Sequence, residues 1–157
     1  MMYARLVERH TRRVYAQFNA RNAEPAIARF AEDAHLIFRG RSALAADLHG
    51  KSEVAALLRE LMTLGLRWEI HDVVVQGPPW NTRLATRYTV RADQPSGHAP
   101  LSYQAFQYAR LVWGRVRLDE ILPGTEALAT YFSRDRRTEL APSRVATPWT
   151  PGAAPCV

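Results

Sequence analysis

The hydrophobic positions of this chain follow a helical period first and a strand period afterwards. Apolar residues recur every three or four positions over residues 3–20, 23–30 and 53–64, and this spacing predicts three amphipathic helices. The short segment 33–38 (DAHLIF) ends at Arg39-Gly40, which indicates a strand between the second and third helices. The stretch 42–49 has no clear period, and we expect a short helix or an irregular segment there.

From residue 66 onward, apolar and polar residues alternate. The alternation runs through 66–77 and 82–92 and along both sides of a turn at Trp113-Gly114, which predicts four antiparallel strands. Helices followed by strands favour an α+β fold in one domain, residues 1–132, with a cone-shaped, curved mixed or antiparallel sheet around three N-terminal helices. Such a sheet leaves a concavity that suits a small molecule. The polar, Pro-rich segment 133–157 is expected to be a mobile tail.

Composition narrows the possible partners. The chain has 157 residues, of which 47% are hydrophobic and 23% charged, as in soluble globular proteins. No apolar run approaches the ~18 residues of a membrane span, and the charged N-terminal segment does not resemble a signal peptide, so we expect a cytoplasmic protein without membrane contact. The net charge of +6 comes from dispersed arginines and forms no basic patch, which argues against nucleic-acid binding.

Motifs for metals and cofactors are absent from the sequence. The single cysteine, Cys156, lies next to the end of the chain, and the five histidines show neither HxH nor HxxxH spacing. No Gly-rich phosphate-binding loop is present. The sequence therefore predicts neither a metal site nor a cofactor.

The last hairpin contains the most informative polar residues. If Trp113-Gly114 is a two-residue turn, Tyr108 lies opposite Asp119 on one face of the sheet, and Gln104 and Phe106 share that face. An apolar concavity raises the pKa of a carboxyl group, so Asp119 is the candidate acid/base, Tyr108 a donor to a substrate oxygen and Gln104 an orienting group. The alternative is a structural aspartate that is bonded to Tyr108 or to an arginine.

Three segments resemble a known family. VYAQFNARNAEPAIARFAEDAHLIF, HGKSEVAALLREL and WGRVRLDEIL are similar to the nuclear transport factor 2-like superfamily, in particular its SnoaL-like polyketide cyclase group. The resemblance implies a cystatin-like α+β barrel and an intramolecular aldol closure by a pocket aspartate, without metal or cofactor. Asp119 is the residue that the strand alignment turns toward the pocket. The fold also hosts isomerases, dehydratases, hydrolases and non-enzymes.

Better-understood relatives match this chain less well. The positions of the two ketosteroid isomerase aspartates fall at Phe38 and Phe106, and the position of its tyrosine falls at Val14. The Asp-Arg-Asp arrangement of limonene-epoxide hydrolases is also missing. Scytalone dehydratase relatives use a histidine, which His35 or His71 could supply, but neither aligns with that pattern, and His35 is expected on the outer face.

The remaining candidates are expected to line the cavity and contact the substrate. Trp68 and Tyr88 would form an aromatic wall suited to a flat ligand, although ordinary core packing explains them equally well. Tyr15, on the helix that closes the cavity, is more often a core residue than a catalytic one. The alignment also turns Phe38 and Ile121 inward.

Small residues interleaved with Tyr and Gln suggest that the outer sheet face joins two copies of the chain; this predicted homodimer face comprises Ala85, Thr89, Tyr103, Ala105, Gln107 and Ala109. For function, the sequence favours a cofactor-independent cyclase, isomerase or dehydratase that acts on a small apolar metabolite. The alternative is a non-catalytic small-molecule-binding or assembly domain of the same fold.

Overall fold

The protein is described here from a computed structural model, which covers residues 2–40, 42, 44–92 and 101–124. The predicted tail at 133–157 lies outside these residues. The elements are α1 (Met2–Asn19), α2 (Glu24–Ile27), β1 (Phe30–Phe38), β2 (Ala46–His49), α3 (Lys51–Thr63), β3 (Leu66–Gln76), β4 (Thr82–Ala92), β5 (Leu101–Val112) and β6 (Arg115–Pro123).

The six strands form one mixed sheet in the order β2-β1-β6-β5-β4-β3. Strand β1 runs parallel to β6, and the other neighbouring strands are antiparallel. The three helices and the α+β class predicted from the sequence are confirmed. Within the described residues the sheet stays open and does not close into a barrel. No helix in the described part of the chain is long and apolar enough to cross a membrane.

The segment left ambiguous by the sequence ends in an edge strand. Residues 46–49 form β2, which pairs with β1, so the expectation of a helix or an irregular segment over 42–49 is wrong for its second half. Four residues are too few for a period-2 pattern to stand out from its surroundings. Leu44, just before this strand, is fully buried.

The hydrophobic core lies between the helices and one face of the sheet. Tyr15 and Phe18 of α1 pack on this inner face, as do Leu57 and Leu61 of α3. The facing strands contribute a row of buried residues, namely Leu36, Phe38, Trp68, Tyr88, Val90, Ala105 and Ile121. The helices cover one side of the sheet only, so the opposite side forms an outer face.

The β5–β6 hairpin has the predicted turn and an unpredicted bulge. Trp113 and Gly114 both have positive φ, 51° and 73°, as a two-residue type I′ turn requires. The pairing then shifts, because Arg110 pairs with Leu118 while Leu111 pairs with Val116. One residue of β6 is therefore extra, which is the definition of a β-bulge.

This bulge changes which residues face the core. Asp119 pairs with Ala109, and Tyr108 pairs with Glu120 on the other side of the sheet. The predicted pairing of Tyr108 with Asp119 is wrong, because a register shift of one residue moves a side chain to the opposite face.

Asn19, the last residue of α1, joins the helix to the sheet. Its Nδ2 donates to the carbonyl of Trp68 and its Oδ1 accepts from the Trp68 N–H, both at 2.8 Å. Arg21 donates to the carbonyl of Leu66 just beyond. These bonds hold α1 over β3 and so set the distance between the helix and the inner sheet face.

Replacing Asn19 with alanine should lower the free energy of unfolding by about 1–2 kcal/mol, since two hydrogen bonds to backbone groups are lost. Urea denaturation measures the change. The control is Gln17→Ala on the same helix. Within the described residues the Gln17 side chain bonds only to that of Asn22, so this substitution should cost less. Equal stability of the two variants would contradict this role for Asn19.

Candidate functional site

Asp119 is a buried carboxyl group on the inner face of β6. Its exposed fraction is 5%. Both carboxylate oxygens, Oδ1 and Oδ2, accept a hydrogen bond from Nε2 of Gln107, at 2.8 and 2.9 Å. The Oε1 of Gln107 in turn accepts from the Tyr15 hydroxyl at 2.6 Å. A hydrogen-bonded chain therefore runs from helix α1 through β5 to the carboxylate on β6.

Burial raises the pKa of Asp119 to about 7, and the hydrogen bond from Gln107 lowers it only in part. The donor is a neutral amide, and no ion pair to Asp119 occurs among the described residues. A carboxylate has about four acceptor sites, so the single Gln107 amide group leaves capacity for a ligand. Asp119 can therefore both accept and release a proton near neutral pH.

The tyrosines beside Asp119 stay protonated. Burial is the main cause that raises the pKa of Tyr15 and of Tyr88 well above the usual range. Tyr88 and Asp119 raise the pKa of Tyr15 further, and Tyr103 and Asp119 raise that of Tyr88, which its hydrogen bond with Tyr15 lowers only in part. The rings of Tyr15 and Tyr88 lie 5.3 Å apart. Burial also raises the pKa of Tyr103, and no hydrogen bond to its hydroxyl occurs within the described residues. Tyr103 thus has an O–H group available to a ligand.

These groups line a cavity of about 450 Å³. Its walls are mostly apolar and include Phe18, Phe38 and Trp68. The exposed residues Leu6 and Trp113, 62% and 70% exposed, also line it. The cavity therefore opens between the first turns of α1 and the β5–β6 turn.

The structure places six of the nine predicted site residues on this cavity: Asp119, Tyr15, Trp68, Tyr88, Phe38 and Ile121. The other three, Gln104, Phe106 and Tyr108, lie on the outer face, and Phe106 is 55% exposed. Their prediction as pocket residues is wrong, because the bulge places Asp119 opposite Ala109 and leaves these three side chains on the other face of the sheet.

The same correction applies to the predicted dimer face. Tyr103, Ala105, Gln107 and Ala109 point inward, so they cannot form an outer contact. The prediction that Gln107 lies on the outer face is wrong, because its side chain lines the cavity and bonds Asp119. The alternation along β5 correctly predicts that Gln107 shares one face with Ala105 and Ala109. That face is the inner face and not the predicted outer face.

A single sheet packed on N-terminal helices around a small-molecule cavity defines the nuclear transport factor 2-like class of domains. The model of the SnoaL-like domain family matches residues 11–118. This match covers more than half of the chain, and the protein belongs to that family. No match was found among curated proteins.

Solved structures share this fold. A nuclear transport factor 2-like protein of unknown function from Burkholderia pseudomallei is 20% identical, with a TM-score of 0.66, over 80% of this chain and 96% of that one. Bal32a, from a soil-derived mobile gene cassette, is 21% identical, with a TM-score of 0.65, over 83% and 98%. TerC, co-crystallised with polyporic acid, is 16% identical, with a TM-score of 0.61, over 78% and 93%. At these identities the likeness concerns the fold.

The raised pKa of Asp119 has a consequence for stability. An aspartate in an unfolded chain ionises near pH 4, whereas the folded state holds its proton up to about pH 7. Between these values the unfolded state binds fewer protons, so the free energy of unfolding should fall as the pH rises from 4 to 7, by up to about 4 kcal/mol.

The variant Asp119→Asn removes this titration and should be less sensitive to pH than the wild type, with its largest relative gain in stability above pH 7. Urea denaturation at pH 5 and pH 8 gives the comparison. Asp72→Asn, an exposed aspartate that pairs with Arg87, should keep the wild-type slope. A wild-type slope in Asp119→Asn would show that Asp119 does not titrate in this range.

Proposed function

We propose that this protein is a cofactor-independent acid/base enzyme of the cyclase, isomerase or dehydratase type. Its substrate is a small, largely apolar, polyketide-like metabolite. The observation that supports this most directly is a buried carboxyl group whose pKa is raised to about 7 on the wall of a cavity of about 450 Å³. A group with these properties is suited to moving protons at neutral pH.

The first step would be removal of a proton from a carbon next to a carbonyl group. The Asp119 carboxylate accepts this proton, and the electron pair of the C–H bond moves into an enolate. The Tyr103 hydroxyl, which lines the cavity, can donate to the enolate oxygen. Gln107 keeps the carboxylate in place through its two short contacts.

The second step returns the proton. In a cyclisation the enolate carbon attacks a second carbonyl group, and protonated Asp119 gives its proton to the new alkoxide. In an isomerisation the proton goes to another carbon of the same conjugated system. Both outcomes use one carboxyl group in turn as base and acid.

The aromatic wall supports a flat, apolar substrate. The ring centroids of Tyr15 and Phe18 lie 5.6 Å apart in an edge-to-face arrangement, and those of Phe18 and Trp68 lie 5.4 Å apart. Such walls favour ring-containing ligands through dispersion and offset contacts. A protein of similar fold, TerC, has been co-crystallised with a small organic molecule, polyporic acid, which fits the same interpretation.

The non-catalytic alternative also has an observation in its favour. Asp119 is already bonded by Gln107, which is itself held by Tyr15, and a carboxylate that keeps this bond throughout would only shape a binding pocket. The two functions differ in one property, because only the enzyme exchanges protons with its ligand.

Hydrogen–deuterium exchange tests the proposal without knowledge of the natural substrate. Aromatic β-diketones dissolved in D₂O serve as probes, and NMR follows loss of the proton between the carbonyl groups. Wild-type protein should accelerate the exchange, and Asp119→Asn should slow it by roughly 10²–10⁴-fold. The matched control, Gln104→Ala on the outer face, should retain wild-type exchange. If Asp119→Asn binds the diketone and exchanges as fast as the wild type, the acid/base role is wrong.

We infer that the outer sheet face joins two copies of the chain, with a revised set of residues. Phe106 and Leu122 are 55% and 47% exposed there on the paired strands β5 and β6. Tyr108 and Leu118 flank them on the same face. Apolar side chains at the middle of a sheet face gain free energy when a second sheet covers them.

Phe106→Glu combined with Leu122→Glu should convert a dimer to a monomer, because it places charges in an apolar contact. Light scattering after size-exclusion chromatography measures the mass. The control is Met2→Glu, which changes an exposed residue of α1 and should leave the mass at the dimer value. A wild-type mass of 17.8 kDa would refute the dimer directly.

A further inference from the structure

Two histidines and an aspartate meet on the outer face where β1 pairs with β2. His35 lies directly opposite His49 in the register, and Asp47 is two residues before His49, on the same face. The imidazole rings stack 4.2 Å apart. The Oδ1 of Asp47 is 2.5 Å from Nε2 of His35 and 3.3 Å from Nε2 of His49.

The geometry of this His-Asp-His cluster suits a transition metal ion. Zinc binds imidazole nitrogen and carboxylate oxygen at about 2.0–2.2 Å, so neighbouring ligand atoms of a tetrahedral site are about 3.3 Å apart. One ligand atom from each residue lies within 4.8 Å of the others, and both nitrogens converge on the same oxygen. Small side-chain rotations would therefore bring the three atoms to bonding distance.

The donor set selects the kind of ion. Two imidazoles with one carboxylate favour zinc and its neighbours in the transition series over magnesium and calcium, which prefer all-oxygen sites. The side chains of Asp47 and His49 are 63% and 73% exposed, so an ion can enter from solvent and keep a water as its fourth ligand. We propose that His35, Asp47 and His49 bind one divalent zinc-like ion per chain.

The position of the cluster indicates a structural ion rather than a catalytic one. The neighbours of His35 in β1, Ala34 and Leu36, point inward and are fully buried, and Leu36 is paired with Asp119. The sheet therefore separates the cluster from the cavity, and a ligand in the cavity cannot reach the ion.

An ion at this place would cross-link the edge strand to its neighbour. Strand β2 has only four residues and follows Leu44, which lines the cavity, as does Phe38 at the end of β1. Binding to both strands would stabilise the part of the cavity wall that these two residues form. This effect does not depend on the proposed enzymatic function.

Isothermal titration with zinc chloride tests the site in a Cys156→Ser background, which removes the only thiol. One zinc per chain should bind, and His35→Gln, Asp47→Asn and His49→Gln should each weaken binding roughly tenfold or more. The matched control is His71→Gln, since His71 lies outside the cluster and its Nε2 contacts Thr89. This control should bind zinc like the parent protein.

Two further measurements report on the site by signals other than the heat of binding. Cobalt(II) should give the visible ligand-field absorption of a tetrahedral site in the parent protein and lose it in the three variants. Saturating zinc should raise the melting temperature of the parent and the His71→Gln control, because a ligand that binds the folded state stabilises it. Failure to bind zinc, or binding that is unchanged in the three cluster variants, would overturn the proposal.

Discussion

The register of the β5–β6 hairpin is the constraint on which the candidate site depends. The bulge before Leu118 brings Ala109 opposite Asp119, so that Asp119 and Gln107 both face the helices. Without the extra residue, the side chains of one of the two strands would point to the opposite face of the sheet. Either Gln107 or Asp119 would then point away from the cavity, and Asp119 would lose the one hydrogen-bond donor it has within the described part of the chain. A local irregularity in one strand thus determines the chemistry of the whole cavity.

Contacts from helix α1 hold the site that the β5–β6 register forms. Asn19 fixes the end of α1 on β3, and one helical turn earlier Tyr15 reaches Gln107. Burial is also the reason that the pKa of Asp119 rises to about 7. The same desolvation that makes the carboxyl group a useful acid/base lowers the stability of the ionised protein. A functional site that costs stability in this way is common in enzymes.

The periodic parts of the fold could be predicted from sequence, and the irregular parts could not. The stripe through Tyr15 and Phe18 predicts α1, and the alternation around Tyr88 predicts both β4 and its inner face correctly. The turn at Trp113-Gly114 was also predictable from turn chemistry. The bulge has no comparable signal, since any residue can be the extra one. Likewise, His35 and His49 are fourteen positions apart, and only the pairing of β1 with a short edge strand brings them together.

The identity of the Asp119 partner bears on the choice between enzyme and binding protein. An arginine at the place of Gln107 would hold the carboxylate ionised at all physiological pH values and make it a permanent anion. An amide donates to the carboxylate without adding a charge, so burial dominates and the pKa stays near 7. The amide is oriented by Tyr15, which keeps the carboxylate in place while its protonation state changes. A carboxyl group that is held in position but free to titrate is useful for proton transfer, whereas a site that only binds an apolar ligand gains nothing from it.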